Sequence, residues 1–277
     1  MTYSELVEEF SKISVSEPEH ETLLLLEALF GITRADTILS PGRDYSSPSI
    51  TGAIRRRALG EPIQYIIGRV FFYNCELKVS PACLIPRADT EILCEELINR
   101  LPANAHFLEF CTGSGCIPIA VLKERDDLTC ESIELFESTV GIAIENRKLN
   151  NIAPDRLKIS QGDALKFPVS KHIAEFDAIV SNPPYIKSDD VRTLAREVRH
   201  EPHAALDGGA DGLLFYNKFL CSYAPMLKPN GFFAFEIGFD QAAQISDMCT
   251  KLGFACKIIK DYSGNDRVAL ILPQGAK

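Results

Sequence analysis

Leu108-Glu109-Phe110-Cys111-Thr112-Gly113-Ser114-Gly115 decides how this chain folds. An apolar run from His106 reads as a buried strand, a turn of small residues follows it directly, and a helix opens after Gly115. Small side chains let a backbone approach a ligand closely, and a helix start favours a negative group such as a carboxylate. One glycine-rich turn is a weak signal, shared by nucleotide sites and plain turns. The surrounding pattern strengthens it. Strands are expected at 106–111, 129–134, 157–161, 176–181 and 231–237, with helices between them, notably at 139–149, 216–227 and 241–252. Repeated strand–helix–strand units imply a parallel sheet with helices on both faces. Two closing strands, 255–260 and 267–272, flank the turn-forming Tyr262-Ser263-Gly264-Asn265-Asp266. They complete a seven-stranded, doubly wound, mostly parallel sheet, with an antiparallel strand expected at its edge.

Acids end three successive strands of this sheet: Glu109, Glu134 and Asp163, the last followed by Ala164. Doubly wound folds place the acid of the second strand on ribose hydroxyls, and an acid after the third reaches an adenine ring along the same edge. Each alone reads as a solvated loop carboxylate; the set reads as an adenosine-binding crevice. A GxGxxG dinucleotide fingerprint is absent, which argues against NAD.

Asn182-Pro183-Pro184-Tyr185 follows the fourth strand. Two prolines end that strand and hold the backbone extended, as they would in a plain Pro-Pro turn. Here they also make a rigid ledge carrying a side-chain amide, free backbone carbonyls and an aromatic ring. Such a ledge can accept both hydrogens of a planar NH2 group while a ring packs on its face. This is the chemistry of an amino-group methyltransferase.

The first sixty residues read as helical, with segments at 4–10 (Ser4 as N-cap), 20–30 (stopping at Gly31) and 50–59 (ending at Gly60). Arg55-Arg56-Arg57 in the third reads as a solvated helix face or a binding patch. Residues 70–73 and 76–79 form a hairpin around Asn74-Cys75, and a helix runs from Asp89 or Thr90 to about Arg100. Three regions follow: a helical domain over 1–68, a linking hairpin over 69–84 and a catalytic domain over 85–277.

The formal net charge of -9 disfavours nonspecific binding to a nucleic acid backbone. Nine cysteines, an odd number without a C-x-x-C pair, support neither a disulfide framework nor a zinc site, and fit a reducing cytosol. The apolar run 23–26 is far too short to span a membrane, and the acidic start at Glu5, Glu8 and Glu9 is not a signal peptide.

With these residues in hand, the chain resembles class I S-adenosylmethionine-dependent methyltransferases, which are Rossmann-like. More closely it resembles the release factor glutamine methyltransferase (PrmC/HemK) family. Gly60-Glu61-Pro62-Ile63-Gln64-Tyr65 matches the end of that family's helical domain, and Leu84-Ile85-Pro86-Arg87-Ala88-Asp89-Thr90-Glu91 its linker signature. Asn182–Tyr185 matches its catalytic motif. Glu201-Pro202 and Ala205-Leu206-Asp207-Gly208-Gly209-Ala210-Asp211-Gly212 match the segment that follows.

The resemblance implies methylation, with S-adenosyl-L-methionine, of a glutamine side-chain amide in the Gly-Gly-Gln loop of class I peptide chain release factors. The helical domain would hold this partner. The implied cofactor residues are Arg87, Glu109, Cys111, Thr112, Gly113, Ser114, Gly115, Glu134, Asp163, Ala164 and Asn182. Asn182 and the Pro183 carbonyl would accept the two N–H groups of the amide, with Pro184 completing the ledge. Tyr185, with Phe71 or Phe72, would pack on the amide plane. Arg87 pairs either with the cofactor carboxylate or with a protein acid.

Two residues depart from the family's Asp-x-Gly at this loop. Cys111 takes positive φ less readily than glycine, so a slightly shifted loop is expected. Glu109 keeps the charge of Asp on a longer arm. Ala88 also replaces a usual proline. An adenine N-methyltransferase acting on DNA or RNA would use the same ledge for an exocyclic amine. The net charge, the lack of a base-recognition domain and the match through 60–91 stand against it. A protein that holds the cofactor without catalysis is a third reading, opposed by the intact Asn182–Tyr185.

Overall fold

The structure, a computed structural model, describes residues 1–13 and 15–273. Five helices open the chain: α1 (Tyr3–Lys12), α2 (Pro18–Phe30), α3 (Arg34–Leu39), α4 (Pro48–Ala58) and α5 (Ile63–Ile67). Thr2, not Ser4, caps α1. Glu5 stands three residues after it, so the two form a reciprocal box, Glu5 N–H to Thr2 at 3.4 Å and Thr2 N–H to Glu5 at 2.8 Å. Gly31 ends α2 at φ +65°, a backbone that favours glycine. Ser47 caps α4, whose first residue is Pro48. α3 and α5 are too short to show a helical period in the sequence. Leu6, Phe10, Leu25, Leu26 and Ile50 form the core of this unit.

The unit comprises Met1–Arg69 and, from far along the chain, Ala195–His200. Arg57 is neither a solvated face nor a patch. It is buried, bonds Glu21 at 2.7 and 2.9 Å, and also pairs with Glu197 of the returning segment. A buried guanidinium needs such partners, because an unpaired charge there is strongly destabilising. Arg56 pairs instead with Glu61 nearer the surface.

The second unit starts at Val70. A two-stranded hairpin, β1 (Arg69–Phe72) and β2 (Cys75–Lys78), turns at Tyr73-Asn74, one residue earlier than expected. Tyr73 takes φ +54° there. The chain continues through α6 (Glu91–Arg100), β3 (His106–Phe110), α7 (Cys116–Glu124), β4 (Thr129–Glu134), α8 (Glu137–Leu149), β5 (Leu157–Gln161) and β6 (Phe176–Ser181). After a long connection follow α9 (Leu214–Ser222), β7 (Leu227–Glu236), α10 (Ala242–Lys251), β8 (Phe254–Lys260) and β9 (Asp266–Pro273). Strand order is β5-β4-β3-β6-β7-β9-β8, with β3 to β7 parallel.

Period-two alternation divides the side chains of β3 between two cores. Phe107 joins α6 and α7 on one face; Leu108 and Phe110 join α9 and α10 on the other. Each such phenylalanine contributes about 1.5–3 kcal/mol by leaving water. α9 ends at Ser222, not near 227, because Pro225 cannot continue a helix. The antiparallel strand is not at the edge. β9 lies between β7 and β8, and β8 is the outer strand. Burial explains the order: β9 is buried from Arg267 through Ile271, whereas β8 is buried only at Phe254 and otherwise half-buried or exposed. Among the described residues no helix is long and apolar enough to cross a membrane.

Candidate active site

β3 leads to β4 on one side, while β6 pairs with β3 on the other, so the connections diverge between β3 and β6. Ligands of open α/β sheets bind at such a point, outside the carboxyl ends of the strands. Cys111 leaves β3 and Asn182 leaves β6 at that edge. A cavity of about 890 Å³, measured out to its open mouth, lies there and includes Cys111, Gly113, Glu134, Asp163, Asn182 and Pro184 in its walls.

Cys111, Gly113 and Gly115 take φ of +61°, +55° and +81°. Cys111 therefore adopts the glycine-like backbone itself, at a cost of about 1–2 kcal/mol. Gly113 has no atom within 4 Å of where a Cβ would stand, and it borders the cavity. At Gly115 a Cβ would meet Ile119 at 3.1 Å and Ala143 at 3.4 Å, so its bareness lets α7 pack on α8. Ser114 is buried, and its carbonyl accepts from Asn146 Nδ2 at 2.9 Å. Asn146 also bonds both backbone groups of Lys78, tying the loop, α8 and the hairpin together.

The three strand-end acids have different fates. Glu109 lies beneath the loop, 1% exposed, and is absent from the cavity wall. It accepts from the Thr112 hydroxyl and from Ser132 at 2.9 Å. Burial pushes its carboxyl pKa up to about 8, nearby Glu134 adds to this, and the two hydroxyls oppose it. Glu109 is thus mainly neutral at pH 7 and does not keep an aspartate's charge. Thr112, also buried, serves this bond and not the cavity.

Glu134 borders the cavity and accepts three backbone N–H groups: Gly113 at 3.0 Å, Leu135 at 2.8 Å and Phe136 at 3.2 Å. A carboxylate has about four acceptor directions, so one remains for a ligand hydroxyl. Asp163 pairs with Lys166 at 2.9 Å and accepts from Leu165 N–H at 2.9 Å, which hold its carboxyl below the usual range. Ala164 beside it is a buried part of the wall.

On the ledge, Asn182 Nδ2 donates to Thr90 Oγ1 at 3.3 Å, which turns Oδ1 the other way. The Tyr185 hydroxyl points inward and donates to Glu236 at 3.3 Å. Burial, with the Glu236 charge, raises the Tyr185 phenol well above its ordinary pKa. Gln241 Nε2 holds the Tyr185 carbonyl at 3.0 Å. Segment 205–212 lies against this backbone, with Gly208 N–H bonding the Ile186 carbonyl at 2.8 Å. A Cβ on Gly208 would come within 2.7 Å of the Pro184 carbonyl oxygen, and one on Gly212 would collide with the Tyr185 oxygen. Gly208 and Gly212 are therefore needed for close approach.

The PrmC N-terminal domain family matches residues 3–68, and the methyltransferase small domain family matches residues 88–230. A release factor glutamine methyltransferase of Caulobacter vibrioides is 36% identical over 263 residues, covering 92% of this chain and 90% of its own. One of Thermodesulfovibrio yellowstonii is 39% identical over 229 residues, 80% of each chain. The chain belongs to the release factor glutamine methyltransferase family. A methyltransferase from Pyrococcus furiosus superposes with a TM-score of 0.53 at 22% identity, over 72% of this chain and 89% of that one, a likeness of fold.

In this member of the release factor glutamine methyltransferase family, Arg87, Phe71 and Phe72, like Glu109 and Thr112, stand outside the cavity wall. Arg87 pairs with Glu201 and is not in the cavity wall. Phe72 is 2% exposed in the core, and Phe71, one residue earlier on the strand, is 69% exposed; neither reaches the cavity. Sequence reasoning missed the apolar walls: Leu84, Leu135, Phe136, Pro202, Ala205 and Phe215. Glu201 explains two of them. It accepts from Ile85 N–H at 3.0 Å and from Arg87, clamping segment 84–87 to the start of 201–205. The quoted motifs Leu84–Arg87 and Glu201-Pro202 carried that signal, without revealing that they pair.

Proposed function

We propose that this protein transfers a methyl group from S-adenosyl-L-methionine to the glutamine side-chain amide in the Gly-Gly-Gln loop of class I peptide chain release factors. The observation that carries this reading is the orientation of Asn182 at the cavity: Nδ2 is engaged by Thr90, which frees Oδ1 to accept a substrate N–H.

The cavity residues fit the cofactor. Glu134 retains one acceptor direction for a ribose hydroxyl, Asp163 and Ala164 stand where an adenine edge would lie, and Leu135, Phe136 and Phe215 supply apolar walls for a planar base. The bare Gly113 leaves room for close backbone approach. Glu109 and Thr112 support the loop from beneath, and Arg87 is committed to Glu201. When bound, the cofactor supplies an electrophilic methyl group on a sulfonium.

An amide nitrogen is a poor nucleophile because its lone pair is delocalised into the carbonyl. Asn182 Oδ1 and the Pro183 carbonyl accept its two N–H bonds and favour pyramidalisation as the new bond forms. The Pro183-Pro184 backbone fixes the spacing of these acceptors, so the chain contributes positioning and electrostatics more than a strong base. The proton leaves after transfer, when the nitrogen is acidic. Tyr185 braces the ledge through its hydroxyl.

Residues 1–68 hold none of these groups and dock the folded release factor, which offsets the ordering of its flexible loop. The exposed Ile38 and Leu39 of α3 offer apolar contact. The test is incubation with labelled cofactor, intact release factor, a Gly-Gly-Gln peptide and unmethylated DNA, followed by mass spectrometry. One methyl group on the glutamine of the intact factor is expected, with the peptide a poor substrate. Methylated adenine, or an unmodified release factor, would overturn the assignment.

A further inference from the structure

Asn182 and Tyr185 lead inward to one buried acid. Tyr185 donates to Glu236 Oε1 at 3.3 Å, and Asn182 Nδ2 donates to Thr90 Oγ1 at 3.3 Å. Thr90 is buried, and its hydroxyl acts on the same Glu236 carboxyl group, lowering its pKa, although no hydrogen bond is formed between the two. Glu236 is 2% exposed, ends β7, and has a second oxygen, Oε2, buried without a formed hydrogen bond. Leaving an acceptor in that state is costly unless it has a role or a partner that engages it.

We propose that Glu236 is a positioning residue for methyl transfer: through the Thr90 hydroxyl it sets which atom of the Asn182 side-chain amide faces the acceptor. The inference rests on the role given to Asn182 above.

A threonine hydroxyl has one proton to donate. Beside an ionised Glu236, which only accepts, Thr90 directs that proton inward, so its oxygen must accept from Asn182 Nδ2. Oδ1 is then presented to the substrate amide. A protonated Glu236 can donate to Thr90, whose own proton is released to point at Asn182. The amide then favours turning Oδ1 inward and Nδ2 outward, and two N–H donors would face the N–H groups of the substrate. The chain of donors reverses as a unit.

The groups around Glu236 set where this happens. Burial raises its pKa; Thr90, Arg267 and Tyr185 lower it and Asp89 raises it, with the result near 7. Arg267 is itself held by Asp261 and Asp89 at 3.1 Å. Tyr216 on α9 and Cys116 on α7 also face this acid, and burial keeps both neutral by raising their pKa values. The productive Asn182 orientation is therefore gained as pH rises through neutrality.

The test uses the full chain with Thr90→Val, Thr90→Ser, Glu236→Gln and the Thr90→Val/Glu236→Gln pair. kcat and KM for release factor are followed across the pH range around neutrality, with cofactor affinity by calorimetry. Thr90→Val should lower kcat about tenfold at alkaline pH with KM and cofactor affinity little changed, and Thr90→Ser should restore it. Glu236→Gln should give a low kcat that no longer rises with pH, and the double variant should be no worse than the lower single. Wild-type kcat in Thr90→Val, failure of serine to rescue, or a wild-type pH profile in Glu236→Gln overturns the proposal. Should Glu236→Gln fail to fold, the Thr90 pair decides alone. A wild-type protein that does not methylate release factor overturns the proposed function and this inference with it, whereas an active wild type with indifferent variants overturns the inference only.

Discussion

Glu109→Gln should stabilise this protein near neutral pH and do little at acid pH. The carboxyl group is 1% exposed, with its folded pKa moved from 4.5 up to about 8, chiefly by burial. Below pH 4.5 both the folded and the unfolded chain hold the proton, so the acid contributes no pH-dependent penalty. Between pH 4.5 and 8 the unfolded chain releases it while the folded chain retains it, so stability falls as pH rises. At about 1.4 kcal/mol per pKa unit, the ceiling on this loss is about 3 kcal/mol at pH 7. Glutamine has the same shape, accepts the Thr112 and Ser132 hydroxyls through its oxygen, and has no charge to desolvate. Urea unfolding of both proteins at an acid and a neutral pH measures the difference. The variant should match wild type at the acid end and exceed it near neutrality. An equal gap at both pH values would falsify the neutral Glu109, since only a titrating group makes the gap depend on pH.

Asn182→Ala should abolish turnover while cofactor affinity stays within about tenfold, because its oxygen acts on the reacting nitrogen; near-normal turnover removes the proposed role. Glu134→Ala should weaken binding of S-adenosylhomocysteine by about 1.5–3 kcal/mol in calorimetry. It should also lower the melting temperature, because three backbone N–H groups lose their acceptor; unchanged affinity would count against a ribose contact. Gly208→Ala would press a methyl group to 2.7 Å from the Pro184 oxygen and the Tyr185 Cα, atoms that no side-chain rotation can move. It should cut kcat at least tenfold with cofactor affinity retained, and wild-type kcat would mean that the ledge yields without consequence.

Much of the fold was legible because its signals are periodic. β4, β5 and β6 have the bounds that their apolar runs imply, and Gly31 stops α2 where a left-handed cap is needed. What failed was aperiodic or nonlocal. Pro225 ends α9 early, a signal present but outweighed by the helical pattern before it. The position of β9 inside the sheet follows from continuous burial between β7 and β8, which its turn-rich connection does not reveal. Arg57 looks like part of a solvated run until Glu21 and Glu197, 36 and 140 residues away in sequence, are placed beside it.

The site shows the same limit in its acids. Glu109, Glu134 and Asp163 lie at or near the carboxyl ends of three successive strands, and the sequence reads all three as acids of one crevice. Environment divides them: one lies under the loop among two hydroxyls, one stitches three amides, and one turns to a lysine. Neighbouring residues decide this, since Thr112 and Ser132 give Glu109 a polar pocket below the sheet edge while Gly113 exposes an amide to Glu134. The Asn182 ledge extends the point. Its tetrapeptide is unmistakable in the sequence, yet the direction in which its amide faces depends on Thr90 and Glu236, two residues that the sequence marks as a linker threonine and a strand end. The ledge proposed to hold the substrate amide could be read from a local motif because that chemistry demands particular residue types there. The groups that orient them could not, because any hydroxyl or carboxyl at the right point in space would serve, and only the fold specifies that point.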